Sequence, residues 1–297
     1  AVAAVGQAQL IQFYESFLSS HELHAGQILL TAEDLDDRTR YLHVRNTLSS
    51  LLELGVVPII NENDSVAVEE LQTTFGDNDR LAASVAGVVG QTALVILSDV
   101  EGVFDRDPDL PGAAILREIE SFDESTFAMA ATRKSTVGKG GMGSKLRAAQ
   151  LATRGGSAVA IAGGRVPDVL ERLIAGERLG TYFSPCLPAL SPRKRWIETA
   201  QPAGTLVIDN GACRALLKGG NSLLAIGVQK VDGRFSPGAV VSICDVSGEE
   251  IGRGLVNYSA ADLDCIKGLK SEAISSTLGR RSYSEVIHAD VLSIHEA

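Results

Sequence analysis

The sequence predicts an α/β protein with a mainly parallel β-sheet sandwiched by helices, followed by a small β-rich domain. In the first part, short apolar runs alternate with helical patterns. These runs lack polar alternation, which indicates strands buried on both faces of a parallel sheet. In the second part, short strand patterns are separated by glycine turns. A chain of 297 residues is long enough for two domains with separate cores.

Helices and strands alternate along the predicted first domain. After an amphipathic helix over residues 1–17, the pattern predicts strands at 27–31, 56–61, 93–98 and 158–162. Helices are predicted at 38–55, 78–89, 142–154 and 167–175. Ligands of such sheets bind beyond the carboxyl ends of the strands, so polar residues directly after an apolar strand are the candidates for chemistry.

The boundary between the domains is predicted from composition. Residues 184–195 contain three prolines and the basic run 193–195, which is typical of a linker. We therefore predict a first domain at 1–188, a linker at 189–200 and a second domain at 201–297. The second domain is predicted to contain strands at 204–208, 238–244 and 251–258 and a helix at 212–218.

Bulk properties exclude several classes of protein. The formal net charge of -10 opposes general binding to nucleic acid, although it leaves room for a local basic patch. The four cysteines form no CxxC pair, which favours free thiols in the cytoplasm over zinc or disulfides. No apolar run approaches the roughly 18–20 residues that a membrane span requires, so we expect no membrane partner.

Two polar stretches carry carboxylates and amides. The first, Asn61 to Asp64, directly follows a buried strand and could face a polar ligand, or form a turn in which Asp64 or Ser65 caps a helix. The second is GDND at 76–79, which opens a helix. Its Asp and Asn residues could simply cap that helix, or the helix N-terminus could bind an anion.

Two further stretches could contact a nucleotide. Ser98 and Asp99 follow the strand at 93–98, where the alternative is a polar turn into a hairpin with Gly102 at positive φ. The glycine-rich run GKGGMGSK at 138–145 leads into a helix. Its backbone could approach phosphates closely while Lys145 supplies a mobile charge, although the order of residues is not that of a Walker A loop. The alternative is a flexible surface loop.

Taken together, these stretches resemble the amino-acid kinase family, and within it the members that phosphorylate L-glutamate and carry a C-terminal PUA module. The matching segments of the first domain are 3–12, 27–48, 56–67, 76–86, 97–108 and 138–149. Those that resemble the PUA module are 202–212, 222–228 and 233–245. Each segment is short, but the combination covers nearly the whole chain.

The resemblance implies ATP-dependent phosphorylation of the side-chain carboxylate of L-glutamate, with Mg²⁺ on the phosphates. Asp64 and Asn78 would contact glutamate, while Asp79 would orient the cationic groups around the phosphoryl group. Lys145 would stabilise that group during transfer. The predicted ATP contacts are Ser98, Asp99, Lys139, Gly140, Gly141, Met142, Gly143, Ser144 and Lys145. The acceptor carboxylate is ionised at neutral pH, so catalysis would rest on positioning and charge neutralisation.

The family begins with a strand and a glycine-rich turn that carries a phosphate-binding Lys, followed by a second Gly- and Ser-containing turn. Neither precedes Ala1, and there is no initiator Met. We therefore expect the native N-terminus to be absent and this chain to be inactive or severely impaired. By family, we also expect a homo-oligomer and feedback binding of L-proline.

Two alternatives remain at this stage. PUA modules in other proteins bind RNA, so the chain could be an RNA-binding protein, although residues 201–297 hold 9 Lys and Arg against 11 Asp and Glu. It could also be an amino-acid kinase for aspartate, carbamate or a nucleoside monophosphate. The NEND and GDND stretches and the PUA module argue against that second alternative.

Overall fold

The chain forms two compact units, Ala1–Ala189 and Leu190–Ala297. The structure, a computed structural model, describes residues 2–66, 78–90, 92–122, 126–127, 141–185, 191–279 and 283–295. Within these ranges, none of the helices is both long and apolar enough to cross a membrane.

The first unit contains two sheets whose main strand pairs are parallel. In one sheet, β1 (His24–Leu30) pairs with β2 (Val56–Glu62) in parallel. In the other, β3 (Ala93–Ser98) pairs in parallel with β4 (Ala158–Gly163), and β5 (Thr181–Phe183) adds an antiparallel edge. The prediction of a mainly parallel α/β domain is confirmed, although the strands are divided between two sheets and the short β5 was not predicted.

Six helices accompany these strands in the described part of the first unit. They are α1 (Val2–Leu18), α2 (Ala32–Asp36), α3 (Arg38–Glu53), α4 (Asn78–Val89), α5 (Met142–Arg154) and α6 (Val169–Ile174). Capping residues set two of the starts. The Asp34 carboxylate accepts from the Thr31 amide at 2.8 Å at the start of α2, and Asp37 accepts from the Arg40 amide at 2.9 Å at the start of α3.

The core of the first unit joins α4 and α5 to the sheet of β3 and β4. Small residues allow the close approach, since Ala83 of α4 and Ala149 of α5 are completely buried. Leu146 and Ile161 fill the space between these helices and β4. The two helices are therefore fixed against each other and against the same sheet.

The second unit is a five-stranded sheet with the order β10-β9-β8-β6-β7. Its strands are β6 (Gly204–Ile208), β7 (Val228–Gly233), β8 (Val240–Cys244), β9 (Glu250–Leu255) and β10 (Leu292–Ile294). Its helices are α7 (Pro192–Thr199), α8 (Asn210–Leu217), α9 (Ala260–Ile266) and α10 (Ser271–Leu278). Only the β6–β8 pair is parallel among these described strands.

Most of the predicted linker at 189–200 forms the helix α7. Ser191 accepts from the Lys194 amide and Pro192 occupies the first turn, an arrangement that starts a helix. Trp196 and Ile197 are 3% and 0% exposed. The prolines that suggested a linker thus include one at a helix N-terminus. The exact domain boundaries stay a prediction.

Candidate active site

The parallel pairing places the carboxyl ends of β1 and β2 together, and likewise those of β3 and β4. Leu30 pairs with Glu62, and the Asn63 amide donates to the Leu30 carbonyl at 2.8 Å. Ser98 pairs with Gly163, and the Gly164 amide donates to the Ser98 carbonyl at 2.8 Å. The polar residues 61–64 and 98–99 therefore lie at the strand ends where ligands of parallel sheets bind.

The N-termini of α4 and α5 lie near the carboxyl ends of β3 and β4. Each helix leads through a short turn into the amino end of a strand, α4 into β3 and α5 into β4. A 12-residue helix is about 18 Å long and a six-residue strand about 20 Å, so each helix start lies near the carboxyl end of the following strand. Helix N-termini expose amide groups and favour anions.

The two helix starts are joined by the side chains of Asp79, Ser144 and Lys145. Lys145 Nζ lies 2.9 Å from Asp79 Oδ2 and 3.3 Å from Asp79 Oδ1. Ser144 Oγ lies 2.9 Å from the same Asp79 Oδ2. The side chains of Lys145 and Asp79 are each 15% exposed, so the pair is reachable from solvent but shielded from most of it.

The electrostatics of this pair follow from its place on the helices. Asp79 lies in the first turn of α4, where the helix dipole stabilises a carboxylate. Lys145 lies in the first turn of α5, where the dipole disfavours a cation. The Asp79 carboxylate compensates for that cost. The arrangement holds the Lys145 ammonium group at the start of a helix, which is suited to a phosphate.

Asp64 and Asn78, the predicted glutamate contacts, are both exposed. Asp64 lies in a turn directly after β2. Asn78 is the first residue of α4 and neighbours Asp79. Asn78 therefore lies next to the ion pair because it is adjacent to Asp79 in the sequence. Asp64, in contrast, follows the carboxyl end of β2.

An apolar cavity of about 440 Å³ lies between β2 and β3 over α4. Its walls include Pro58, Ile60, Val85 and Leu94, and Asn78 is one of its few polar members. Such walls offer no charged partner to a carboxylate or phosphate. The cavity itself is therefore not suited to a charged ligand.

Ser98 and Asp99, predicted to contact ATP, lie together after β3. Ser98 is 7% exposed, and its Oγ donates to Asp99 Oδ1 at 3.1 Å. Asp99 is exposed and keeps oxygen atoms available to a ligand. The hydroxyl of Ser98 therefore orients Asp99 in this structure instead of pointing outward.

The alternative of a hairpin after this turn is partly correct. Phe104 and Ile115 form an antiparallel bridge, and the Leu116 amide donates to the Val103 carbonyl at 2.8 Å. Gly102, however, does not adopt positive φ, so that part of the expectation is wrong. Gly102 is required for space, since a Cβ there would lie 2.9 Å from both Ile115 Cγ2 and Thr181 Oγ1.

The glycine-rich run is described only from Gly141 onward. Gly141 is the N-cap of α5, and Met142 and Gly143 form its first turn, with Ser144 buried beneath. Lys139 and Gly140, predicted to contact ATP, lie outside the described residues, as do Gly76 and Asp77 of the GDND stretch. The described part of the run is therefore a helix start rather than a free loop.

Sequence reasoning missed Gly163 and Gly164 as residues of this edge. A Cβ on Gly164 would lie 3.3 Å from Leu97 Cβ, and one on Gly163 would lie 3.3 Å from Glu101 Cα. The glycine pair thus lets the chain after β4 pass close to the Ser98–Asp99 turn. The signal was present in the sequence, since two glycines directly follow an apolar strand.

No cluster of three or more His, Cys, Asp or Glu side chains in the described ranges could hold a metal ion. In phosphoryl-transfer sites, Mg²⁺ usually takes most of its ligands from phosphates and water, with one or two carboxylates.

Comparison with known proteins places the chain in a family. The family model described as "Amino acid kinase family" matches residues 1–163, more than half of the chain. The chain belongs to the amino acid kinase family. The model of the PUA domain matches residues 204–278 of this kinase, so the predicted resemblance and fold class are confirmed.

Two relatives of this kinase share one name. It is 48% identical over 293 residues to "Glutamate 5-kinase" of Rhodopirellula baltica, a match that covers 98% of this chain and 75% of that protein. It is 45% identical over 298 residues to "Glutamate 5-kinase" of Caldanaerobacter subterraneus, covering 100% of this chain and 80% of that protein. A solved structure, of an isopentenyl phosphate kinase, aligns with 20% identity and a TM-score of 0.41, covering 60% of this chain and 66% of that one.

Proposed function

We propose that this protein catalyses ATP-dependent phosphorylation of the γ-carboxylate of L-glutamate to L-glutamyl 5-phosphate, the first step of proline biosynthesis. The observation that carries the proposal is identity of 45% or more to glutamate 5-kinases over nearly the whole chain. The Lys145–Asp79 pair at two helix N-termini supports it, because phosphoryl transfer needs such a fixed charge.

The chain's own residues would act mainly through positioning and charge. Asn78 and Asp64 would hold the amino acid so that its ionised side-chain carboxylate faces the terminal phosphate, and no general base is required. Lys145 would stabilise the negative charge on the transferring phosphoryl group. Asp79 would keep the Lys145 ammonium oriented. The α5 amides near Gly143 would bind phosphate oxygens.

Several finer points belong to the same proposal. Asp99, Ser98 and the run from Lys139 to Lys145 would bind ATP, and a bound Mg²⁺ would neutralise part of the phosphate charge. We also propose a cytoplasmic homo-oligomer that binds L-proline as a feedback inhibitor. Its domains would be the kinase domain at 1–188 and the PUA domain at 201–297. RNA is a weaker candidate partner for the PUA domain.

The function is tested on the full-length protein with a panel of acceptors. Release of ADP should require L-glutamate and should not occur with aspartate, carbamate or a nucleoside monophosphate. Because the product is an acyl phosphate, hydroxylamine should trap it as a hydroxamate. Release of ADP with another acceptor and none with glutamate would exclude the proposed substrate.

The glutamate site is tested with Asp64→Ala. We expect the KM for glutamate to rise about 10- to 100-fold, the effect of losing one hydrogen bond to a charged group, while the KM for ATP changes little. Asp232→Ala serves as the control, because the Asp232 side chain is 70% exposed and belongs to the second unit. An unchanged glutamate KM in Asp64→Ala would remove Asp64 from the site.

A further inference from the structure

The side chain of Ser144 is buried beneath the first turn of α5, between two acceptors. Ser144 is 7% exposed, and its Oγ lies 2.9 Å from Asp79 Oδ2 and 2.9 Å from the Gly141 carbonyl oxygen. The position in the glycine-rich run suggested a contact with ATP. The burial and the two neighbours indicate another role.

A serine hydroxyl has one proton, so it donates to one of these acceptors at a time. The Gly141 carbonyl already accepts from the Ser144 amide at 3.1 Å and from the Lys145 amide at 3.5 Å. The Asp79 carboxylate is charged, and hydrogen bonds to ionised acceptors are about twice as strong as neutral ones. The Ser144 hydroxyl therefore donates its hydrogen bond to the Asp79 carboxylate rather than to the Gly141 carbonyl.

Ser144 and Lys145 are adjacent residues that hold the same oxygen of Asp79. Lys145 Nζ lies 2.9 Å from Asp79 Oδ2, the oxygen that also accepts from Ser144. When the ammonium group of Lys145 turns toward a phosphate, its hold on Asp79 must weaken. The hydroxyl of Ser144 is buried beneath the helix start, so it can keep its contact with Asp79 when the ammonium group turns.

We propose that Ser144 is a positioning residue that keeps the Asp79 carboxylate aligned behind Lys145 during phosphoryl transfer. This inference rests on the proposed function for its catalytic part. It assigns the Ser144 side chain to Asp79 and leaves phosphate binding to backbone amides and Lys145.

The test compares Ser144→Ala with Ser144→Thr in the full-length protein. Ser144→Ala should lower kcat by about 10- to 100-fold, the range that corresponds to one lost hydrogen bond to a charged group. The KM for ATP should stay within about twofold, because only the Asp79 contact is removed. Ser144→Thr keeps a hydroxyl and should restore most of kcat. A raised KM for ATP at unchanged kcat, or a threonine variant as slow as the alanine one, would overturn the proposal.

A second measurement does not depend on turnover. The free energies of unfolding of Ser144→Ala, Asp79→Ala and the double variant form a thermodynamic cycle. Since the two side chains are in direct contact, the cycle should be non-additive, with a smaller effect of Ser144→Ala when Asp79 is absent. Additive effects would show that Ser144 does not act on Asp79. An enzyme without glutamate-dependent turnover but with a non-additive cycle would instead refute the proposed function alone.

Discussion

At the scale of single residues, we expect phosphoryl transfer to depend most on the charge of Lys145. Its ammonium lies beside Asp79 at a helix start, and both side chains are 15% exposed. Lys145→Met should lower kcat by about 10²- to 10³-fold, the usual effect of removing one group that stabilises transition-state charge. Lys230→Met is the control, because Lys230 is 67% exposed in the second unit. Steady-state rates decide, and a kcat within threefold of the wild type would contradict this role.

Two glycines of the first unit test how much the turn before β5 depends on space. Gly176 has φ +85 with no neighbour near a Cβ, whereas Gly180 has φ +70 and its Cβ would lie 2.9 Å from the Ala162 Cα. Gly176→Ala should lower the unfolding free energy of the first unit by about 1–2 kcal/mol, the cost of positive φ alone. Gly180→Ala adds a backbone clash and should cost about 1–3 kcal/mol more.

Denaturant unfolding of both variants separates the two effects. Gly176→Ala is the matched control, since the two changes share chemistry and backbone region and differ only in neighbours. Equal losses in the two variants would show that the chain around Ile161 relaxes to accept the methyl group. The close packing of Gly180 on β4 would then contribute nothing to the free energy of unfolding.

At the scale of elements, helix α7 is held to the sheet of the second unit by a network of charged side chains. Arg253 Nη1 donates to the carbonyls of Glu198 and Ala200, at 2.7 Å and 3.2 Å, which are at the C-terminal end of the helix. His295 Nε2 lies 3.0 Å from Glu198 Oε2, and the His295 amide donates to the Ile251 carbonyl at 2.9 Å. The network thus joins α7, β9 and the segment after β10.

Arg253→Met should loosen α7. The change leaves two helix carbonyls without their donor, and Glu250 loses the guanidinium that lies 3.1 Å from its Oε1. We expect a loss of about 2–4 kcal/mol in the unfolding free energy of the second unit, since a partly buried charge loses its partner. Tryptophan fluorescence reports it directly, because the chain has one Trp, the buried Trp196 of α7. Arg234 is exposed, so Arg234→Met should change neither the unfolding free energy nor the fluorescence of Trp196.

The same network gives the second unit a dependence on acidic pH. Burial tends to raise the pKa of Glu250, but the positive charge of Arg253 and hydrogen bonds from Ser242 and Arg253 outweigh it, so the pKa lies below the ordinary value of 4.5. A carboxyl group whose pKa is lowered in the folded state stabilises the fold at pH values above its pKa in the unfolded chain. This contribution disappears as the pH falls through the pKa of the folded state.

Glu250→Gln tests that sign. The wild type should be more stable than the variant near neutral pH, and the difference should shrink as pH is lowered below about 4.5. Denaturant unfolding at a series of pH values, followed through Trp196, measures it. A difference that stays constant or grows toward acid pH would mean that the Glu250 carboxylate is not stabilised by its neighbours.

Elements with strong local signals were predictable from the sequence. The limits of α4, α5 and β3 match the predicted 78–89, 142–154 and 93–98, because apolar periodicity and flanking glycines define them locally. β5 and β10 have three residues each, too few to show a period. Helices α9 and α10 lie among glycine turns that favoured strands. Whether such segments form strands or helices depends on the tertiary structure around them.

The candidate site was predictable as a set of residue types but not as contacts. The sequence singled out Asp79, Ser144 and Lys145 on two separate stretches, and the structure joins them. The hydrogen bond from Ser144 to Asp79 spans 65 positions of sequence, so no local pattern could show which side chain the hydroxyl faces. It depends on the packing of α4 against α5 through Ala83 and Ala149.

At the scale of the whole molecule, the charge distribution argues against RNA as the main partner. The net charge is -10, and residues 201–297 hold 9 Lys and Arg against 11 Asp and Glu. Binding to RNA releases counterions only where basic groups neutralise phosphates. The PUA domain that matches 204–278 is therefore expected to bind RNA weakly and without strong salt dependence.

A titration of the full-length protein with a labelled structured RNA tests this expectation by fluorescence anisotropy, at about 50 mM and about 200 mM salt. At the higher salt we expect a dissociation constant of about 10⁻⁶ M or weaker, in or beyond the range of about 10⁻⁴–10⁻⁶ M that is typical of non-specific binding. Excess ATP is the control, because the RNA phosphates could occupy the helix N-termini beside Lys145, and ATP would then displace them. Tight binding that falls steeply with salt and survives ATP would instead place a basic RNA surface on the second unit.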